Sequence, residues 1–292
     1  MSERFEQGFS GCVAVVTGGG TGMGRELVRQ LAADGCDVAM CDVIAENLAE
    51  TAAICAADGA SGALLPVVAD VSDETQVLAF RDQVAAWRPH VNLLFNNAGI
   101  SGGGSIVDGD RAQWDKTFAV CWGGVYYNTR AFLPLLTQAS VGQIINTSSV
   151  NGFWASLGPG SLHTAYSAAK FAVKGFTEAM ITDLRTSAPH LHVTLVMPGH
   201  IGTSIALNSM KLHSPNPREL APELQALGEM FRDSAPVTAH EAAAVILDAV
   251  RRDEWRVLIG DDAEQLDEQV RADPSNAYEL DFFERGPFNR GL

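Results

Sequence analysis

The feature that most constrains this chain is a repeated alternation. Short apolar runs rich in β-branched residues recur along the first two-thirds, and helix-like stretches separate them. "CVAVVT" (12–17), "DVAMCD" (37–42), "ALLPVVA" (63–69), "VNLLFN" (91–96), "QIINTS" (143–148) and "LHVTLVM" (191–197) form the series. Uninterrupted apolar strands are buried on both faces, so they imply a parallel sheet covered by helices on each side. The intervening helices are expected to stop near Asp34-Gly35 and Asp58-Gly59. A residue without a Cβ suits the left-handed position that ends a helix. The expected fold class is α/β, a doubly wound parallel sheet.

After Met197 the alternation breaks. Residues 200–236 contain Pro215, Pro217, Pro222 and Pro236 among scattered apolar residues such as Ile205, Leu207, Met210, Leu212 and Met230. This stretch reads as a mobile substrate lid or an irregular helical insert. A helix from about Thr238 to Arg252 and a strand "WRVLIG" (255–260) follow, then a polar, acidic C-terminal tail over 261–292. There is no internal repeat and no linker long enough to divide the chain, so residues 1–292 are expected to form one domain.

Composition narrows the class of function. Hydrophobic residues make up 47% of the 292, enough for a sizeable core. Asp and Glu number 35 against 20 Lys and Arg, a net charge of −15. Such a surface repels nucleic-acid phosphates and anionic membranes, so neither is an expected partner. The cysteines, Cys12, Cys36, Cys41, Cys55 and Cys121, show no paired CxxC spacing. Buried, reduced thiols and no metal site are expected. The N-terminal "MSERFEQGFSG" has no apolar core of the secretory kind. No uncharged apolar run reaches the ~18 residues that a membrane span requires. A soluble, cytoplasmic protein is the expectation.

"VVTGGGTGMGREL" joins the first strand to the first helix, with Gly18, Gly22 and Gly24 in GxxxGxG spacing. A tight turn of this kind lets backbone approach a pyrophosphate, and the helix N-terminus then faces the negative charge. Asp42 ends the second strand, 18 residues after Gly24. A carboxylate there accepts hydrogen bonds from an adenosine ribose and repels the additional phosphate of NADP, which points to NAD. The rival reading is a helix-capping aspartate. Arg25, the residue that argues for NADP, is expected on the solvent face of its helix.

Six motifs stand in order: "TGGGTGMG" (17–24), "AD" (69–70), "NNAG" (96–99), "SS" (148–149), "YSAAK" (166–170) and "PGHIGT" (198–203). On these residues the chain resembles the short-chain dehydrogenase/reductase (SDR) family of single-domain Rossmann-fold oxidoreductases, over roughly residues 10–260. The resemblance implies cofactor contacts from the loop residues Gly18, Thr21, Gly22, Met23 and Gly24, and from Asp42. It implies that Asp70, with Val71, meets the adenine ring. Asn96, Asn97, Ala98 and Gly99 fall at the wall beside the adenosine ribose. Pro198, Gly199, Ile201 and Thr203 fall along the nicotinamide. Ser149 would hold the substrate oxygen, Tyr166 would act as acid/base, and Lys170 would bind the nicotinamide ribose and lower the tyrosine pKa. Taken singly, Asp70 also reads as a strand-end cap, "NNAG" as a turn and Ser148-Ser149 as loop hydroxyls.

The tyrosine and lysine have a physical logic. Residues four apart share a helix face. Free tyrosine titrates near 10, too high for a base at neutrality, and a neighbouring ammonium favours the phenolate. Tyr166 could then take a proton from an alcohol as hydride leaves, or donate it to a carbonyl in reverse. Ser149 would donate to the developing alkoxide. The expected reaction is NAD-dependent interconversion of a secondary alcohol and a ketone. The alternatives are reduction of a C=C bond, or a non-catalytic nucleotide-binding protein. Lys174 shares the lysine's face but is expected at the surface. His163 reads as a helix-start residue and also as a site-lining one. His200, inside "PGHIGT", is a candidate contact to cofactor or substrate.

The chain also departs from the family pattern. Where many members carry an asparagine in "VN-x-x-G", this sequence has "AVCWGGVYY", with Cys121 at the aligned position. Cys121 is expected to pack as a small apolar residue, and the competing reading is a weakened proton relay. Ser149 and Tyr166 lie 17 residues apart, with Phe153, Trp154, Leu157 and Leu162 between them. These residues read as part of a pocket for a lipophilic substrate, or equally as subunit contact. The resemblance implies a homo-oligomer, a dimer or homotetramer, through the helix from Asp110 onward and the one carrying Tyr166. The tail reads either as contact with a neighbouring subunit or as disorder.

Overall fold

The chain is described here by a computed structural model covering residues 5, 7–156, 162–213, 220–280 and 282. Leu157, Pro215, Pro217 and the last ten positions therefore lie outside the described residues. The core strands are β1 (Val13–Thr17), β2 (Asp37–Asp42), β3 (Leu64–Val68), β4 (Leu93–Asn96), β5 (Gly142–Thr147) and β6 (Leu191–Pro198). A short pair, β7 (Ile201–Gly202) and β8 (Val237–Thr238), and the edge strand β9 (Arg256–Ile259) complete the set. Between them run α1 (Gly22–Ala33), α2 (Ala45–Ala57), α3 (Glu74–Trp87), α4 (Arg111–Phe118), α5 (Gly124–Leu136) and α6 (Thr164–Ser187). Helices α7 (Ile205–His213), α8 (Pro222–Asp233), α9 (Ala239–Arg251) and α10 (Asp261–Ala272) follow.

Among the described residues one sheet has seven strands, all parallel, in the order β3-β2-β1-β4-β5-β6-β9. This is the doubly wound Rossmann-type sheet expected from the alternation. Strands β1 and β4 are buried throughout, as continuous apolar runs require. One face packs Leu27, Leu31, Ile246 and Val250 of α1 and α9. The other packs Phe80, Phe132, Leu136 and Met180 of α3, α5 and α6. Val15 of β1 pairs with Ala39 of β2 on one side and Leu94 of β4 on the other. The winding direction reverses there, and a crevice opens at the carboxyl ends of the two strands.

Three features differ from the sequence reading. The first is the tail. Residues 261–272 form α10, and Ala263, Leu266, Ala277 and Phe282 are buried against Val150 and Trp154. Arg256 of β9 and Arg271 both hold Asp267 of α10, at 2.5 and 2.9 Å. The second is Trp154, expected at a substrate pocket. It is 1% exposed, and its indole N–H donates to the Ala277 carbonyl at 2.6 Å. A large ring with one polar atom is best buried where that atom finds a partner, and the chain after α10 supplies it. The third lies in residues 119–123, where α4 passes into α5 through a single π turn. Such turns insert one residue into the helical ladder and are frequent at functional sites. Cys121 sits at its centre.

Residues 200–236 contribute α7 and α8, tied back by the β7–β8 pair. A capping box follows, in which Thr238 and Glu241 each satisfy the other's backbone amide. No helix among the described residues is long and apolar enough to cross a membrane.

Candidate active site

The glycine loop is defined by what it leaves out. Gly18 and Gly22 have φ of +68° and +54°, a region that penalises any Cβ. A Cβ on Gly24 would lie 2.0 Å from the Gly18 carbonyl oxygen and 2.7 Å from Asn97 Nδ2. The 96–99 turn is thus pressed onto the loop. Thr17 Oγ1 accepts from the amides of Asn97 and Ala98, each at 3.0 Å. Thr21 precedes α1 in extended conformation, and its hydroxyl makes no capping bond to the helix. The first turn of α1 carries no acidic residue. Glycine cradle, helix N-terminus and absence of acid together fit a phosphate-bearing dinucleotide.

Arg25 departs from the expected solvent-facing position. Its guanidinium donates to the Gly20 carbonyl at 2.6 Å and ion-pairs with Glu50 at 2.5 Å. It braces the loop against α2 and is committed there.

A cleft of about 480 Å³ runs along the crevice. Gly18, Thr21, Gly22, Met23, Asp42, Asp70, Val71, Asn97, Ala98, Gly99 and Thr203, all singled out from sequence, line it. Asp42 Oδ2 accepts from the Gly20 amide and Oδ1 from the Ile44 amide, both at 3.1 Å. Burial pushes its carboxyl above the usual range. Asp70 Oδ2 accepts from Lys116 Nζ at 2.7 Å, and Oδ1 accepts from the Ser72 hydroxyl at 2.6 Å. Although burial opposes it, these bonds hold Asp70 below the ordinary carboxylate value.

Other expected residues fall outside the cleft lining. Asn96 is 2% exposed and points the other way, donating to Thr129 Oγ1 and Asn146 Oδ1. Alternation along β4 sends its side chain into the sheet's far face. Its role is to tie β4 to β5 and α5, a correction to the ribose-wall expectation. Pro198 ends β6, and Ile201 is buried in the core. Gly199 lies under Asp262 of α10, whose carboxylate would be 2.3 Å from a Cβ. His200 turns away from the cleft: its amide donates to Asp262 Oδ2 and its ring nitrogen bonds the Phe231 carbonyl, both at 2.7 Å.

The catalytic candidates meet deeper in the crevice. Ser149 follows β5 in extended conformation. Tyr166, on α6, shares a hydrogen bond with it. Burial drives the phenol well above its ordinary value, and the Ser149 bond pulls it partly back. Lys170, one turn on, is 3% exposed. Its Nζ donates to the Thr147 carbonyl at 2.8 Å and lies 5.4 Å from the Tyr166 ring centroid. Burial lowers the lysine pKa. Lys174 instead ion-pairs with Glu178 at 2.9 Å.

Cys121 is fully buried beside this group. Its thiol donates to the Ile100 carbonyl at 3.1 Å, and burial raises its pKa. A Cβ on Gly99 would lie 3.7 Å from Lys170 Nζ and 3.8 Å from Cys121 Sγ. Gly99 also lines the cleft, so it is the hinge between cleft and catalytic group. His163 precedes α6 without capping it, its ring 6.4 Å from that of Tyr166. Burial keeps this imidazole neutral by lowering its pKa.

Sequence reasoning missed several lining residues. Val43, Ile44 and Asn47 enter because the chain turns into α2 directly after Asp42. Lys116 of α4 and Asn208 and Lys211 of α7 belong to no motif, and they join Ile205 and Leu212, which the sequence placed in the lid. The spacing of the α7 set, i, i+3 and i+6 or i+7, was the available signal, since it places them on one helix face.

The short chain dehydrogenase family model matches residues 12–212. SadH of Mycobacterium tuberculosis is 34% identical over 90% of this chain and 91% of its own length. Levodione reductase of Leifsonia aquatica is 31% identical over 90% of this chain and 92% of its own. Among solved structures, a short chain dehydrogenase/reductase from Burkholderia phymatum in complex with NAD superposes with a TM-score of 0.78. It is 28% identical and covers 93% of this chain and 96% of that one. A match across the sheet, the glycine loop and the Tyr166–Lys170 helix leads to one conclusion: the chain belongs to the short-chain dehydrogenase/reductase family of oxidoreductases.

Proposed function

We propose that this protein is an NAD-dependent oxidoreductase that interconverts a secondary alcohol and a ketone on a lipophilic substrate. The observation that carries the reading is the grouping of Ser149, half-buried Tyr166 and buried Lys170, joined to the cleft beside the glycine loop through Gly99. A nicotinamide dinucleotide supplies or takes up the hydride when bound, and Gly18, Thr21, Gly22, Met23, Gly24, Asp42 and Thr203 would hold it. Ser149 donates to the substrate oxygen and fixes its position. Tyr166 removes the hydroxyl proton in oxidation and returns it in reduction. Lys170 supplies the positive charge that brings the buried phenol toward a usable pKa.

NAD is favoured over NADP because Asp42 faces the cleft while Arg25 is tied to Gly20 and Glu50. Ile100, Val120, Ile205 and Leu212 give the cleft an apolar component, which supports a lipophilic substrate. The aromatic face of α4 and α5, where Trp114 stacks on Phe118 and Trp122 on Tyr126, supports assembly as a dimer or tetramer. Five free cysteines suit a cytoplasmic setting. Cys121, standing where many relatives have an amide, favours a second reading in which nucleotide is bound without turnover.

The test follows absorbance of the reduced cofactor with NAD⁺ or NADP⁺ across a panel of secondary alcohols, for wild type and Tyr166→Phe. The expected result is turnover with NAD⁺ and a loss of about 10²–10⁴-fold in the variant. Turnover that survives Tyr166→Phe removes the tyrosine from its role. NADH binding without turnover on alcohols, ketones or enones favours the second reading.

A further inference from the structure

We propose that α7 is a cationic clasp on the dinucleotide phosphates, with Lys211 as its charge and Asn208 as its latch. The inference rests on the dinucleotide reading above and extends it to residues outside every motif of the sequence.

Ile205, Asn208, Lys211 and Leu212 stand on one face of α7 and line the same cleft as Gly18, Thr21 and Gly22. Asn208 Nδ2 donates to Thr21 Oγ1 at 3.3 Å. Thr21 is the residue at which α1 presents its amides, so this bond brings α7 to the phosphate end of the cleft. Lys211 follows on the same face. Residues flanking that face anchor the helix independently. Ser209 Oγ accepts from the Ser101 amide at 2.8 Å and donates to the Ile205 carbonyl at 2.6 Å. Leu207 packs so tightly on α8 that a Cβ on Gly228 would lie 2.5 Å from its Cγ. Lys211 is therefore not needed to hold α7 in place.

The charges in the cleft single it out. The acids are Asp42 and Asp70, and the cations are Lys116 and Lys211. Lys116 is spent on Asp70 at 2.7 Å. Among the described residues Lys211 has no carboxylate partner. A pyrophosphate brings two negative charges to a protein whose net charge is already −15. The α1 N-terminus offsets part of that, and among the described residues the Lys211 ammonium is the remaining cation in the cleft free to offset more. With a pyrophosphate in the cleft, Lys211 would be the cation facing it and Asn208 the tie that holds α7 at the Thr21 end.

The test measures NADH affinity by fluorescence titration and NADH dissociation by stopped flow, at low and high salt. It compares wild type, Lys211→Gln, Lys211→Arg and Asn208→Ala, with adenosine as a probe that lacks phosphate. Lys211→Gln is expected to weaken NADH about fivefold at low salt and to flatten the salt dependence. Lys211→Arg keeps both, and adenosine affinity is unchanged in all. Asn208→Ala is expected to speed NADH release about threefold, since it removes one latch bond. Wild-type NADH affinity and salt dependence in Lys211→Gln overturn the clasp while leaving the dinucleotide reading intact. A loss confined to NADPH also overturns it, because Lys211 would then read a ribose phosphate. A wild type that binds neither dinucleotide brings down the dinucleotide reading itself, and the clasp with it.

Discussion

The two ends of the crevice are built by opposite means. At the phosphate end the working parts are backbone and empty space: Gly18 and Gly22 at positive φ, and Gly24 with no room for a Cβ. At the catalytic end the working parts are side chains: Lys170 and Cys121 sealed from water, and Tyr166 half-buried on α6 beside the π turn. The first is damaged by adding an atom and the second by taking one away. Backbone amides carry no titratable charge, so the glycine cradle itself is indifferent to pH. The catalytic end is made of groups whose pKa values burial has moved, so it is not.

Removing Lys170 should give the largest effect. Lys170→Met takes away the ammonium beside a phenol that burial already holds high, and a loss of about 10²–10⁴ in kcat is expected. The sign of the pH dependence is fixed. Alcohol oxidation needs the phenolate and rises with pH; ketone reduction needs the phenol and falls. Without the ammonium the oxidative limb moves to higher pH. A limb that stays in place would show that Lys170 does not tune Tyr166. Adding a methyl at the other end is next. Gly24→Ala forces a contact costing about 1–3 kcal/mol, read as a roughly ten- to hundredfold loss of NADH affinity. That loss should be the same at every pH where the protein is folded. If it varies with pH, the contrast between the two ends is wrong.

The smallest effect on the site should come from outside it. Asp267→Asn leaves Arg256 and Arg271 facing a neutral amide and should cost about 1–3 kcal/mol of stability, with kcat and KM unchanged. Although burial opposes it, the bonds from Arg256 and Arg271 hold the Asp267 carboxyl below its ordinary value. Its contribution is therefore full above the unfolded value of about 4 and fades as pH falls through the lower folded one. Denaturant melts of both proteins from neutral pH downward check this: the gap between them should close in acid. A gap that persists there assigns the stabilisation to packing.

The strands were legible because a buried parallel strand must be apolar on both faces, and Asp37–Asp42 begins and ends where its apolar run does. The glycine loop was legible because only a missing side chain allows that turn. What escaped the sequence depends on direction or on distance along the chain. Asn96 and Asn97 are adjacent and chemically identical, yet the pleat sends one into the sheet and the other to the cleft. Arg25 looks solvent-facing on a helical wheel, and it bends back because Gly20 and Glu50 wait there. The segment from α10 onward reads as polar because, among the described residues, the apolar ones that are buried, Ala263, Leu266, Ala277 and Phe282, stand at irregular spacing. The π turn has no sequence mark at all. The family pattern marked Cys121 as a departure without revealing the carbonyl of Ile100 that receives its thiol.

The bond between Trp154 and Ala277 bears on how the protein matures. The two residues are 123 positions apart, and the indole sits just beyond Ser149. Chains emerge from the ribosome N-terminus first, and structure forms as they do. The strands and glycine loop of the cofactor half are therefore exposed to solvent, and able to assemble, long before Ala277 has been synthesised. The loop that carries the serine gains its anchor only after those elements have emerged. A nascent chain would thus lay down the glycine loop and the Tyr166–Lys170 helix before it gains the contact that braces the turn after Ser149.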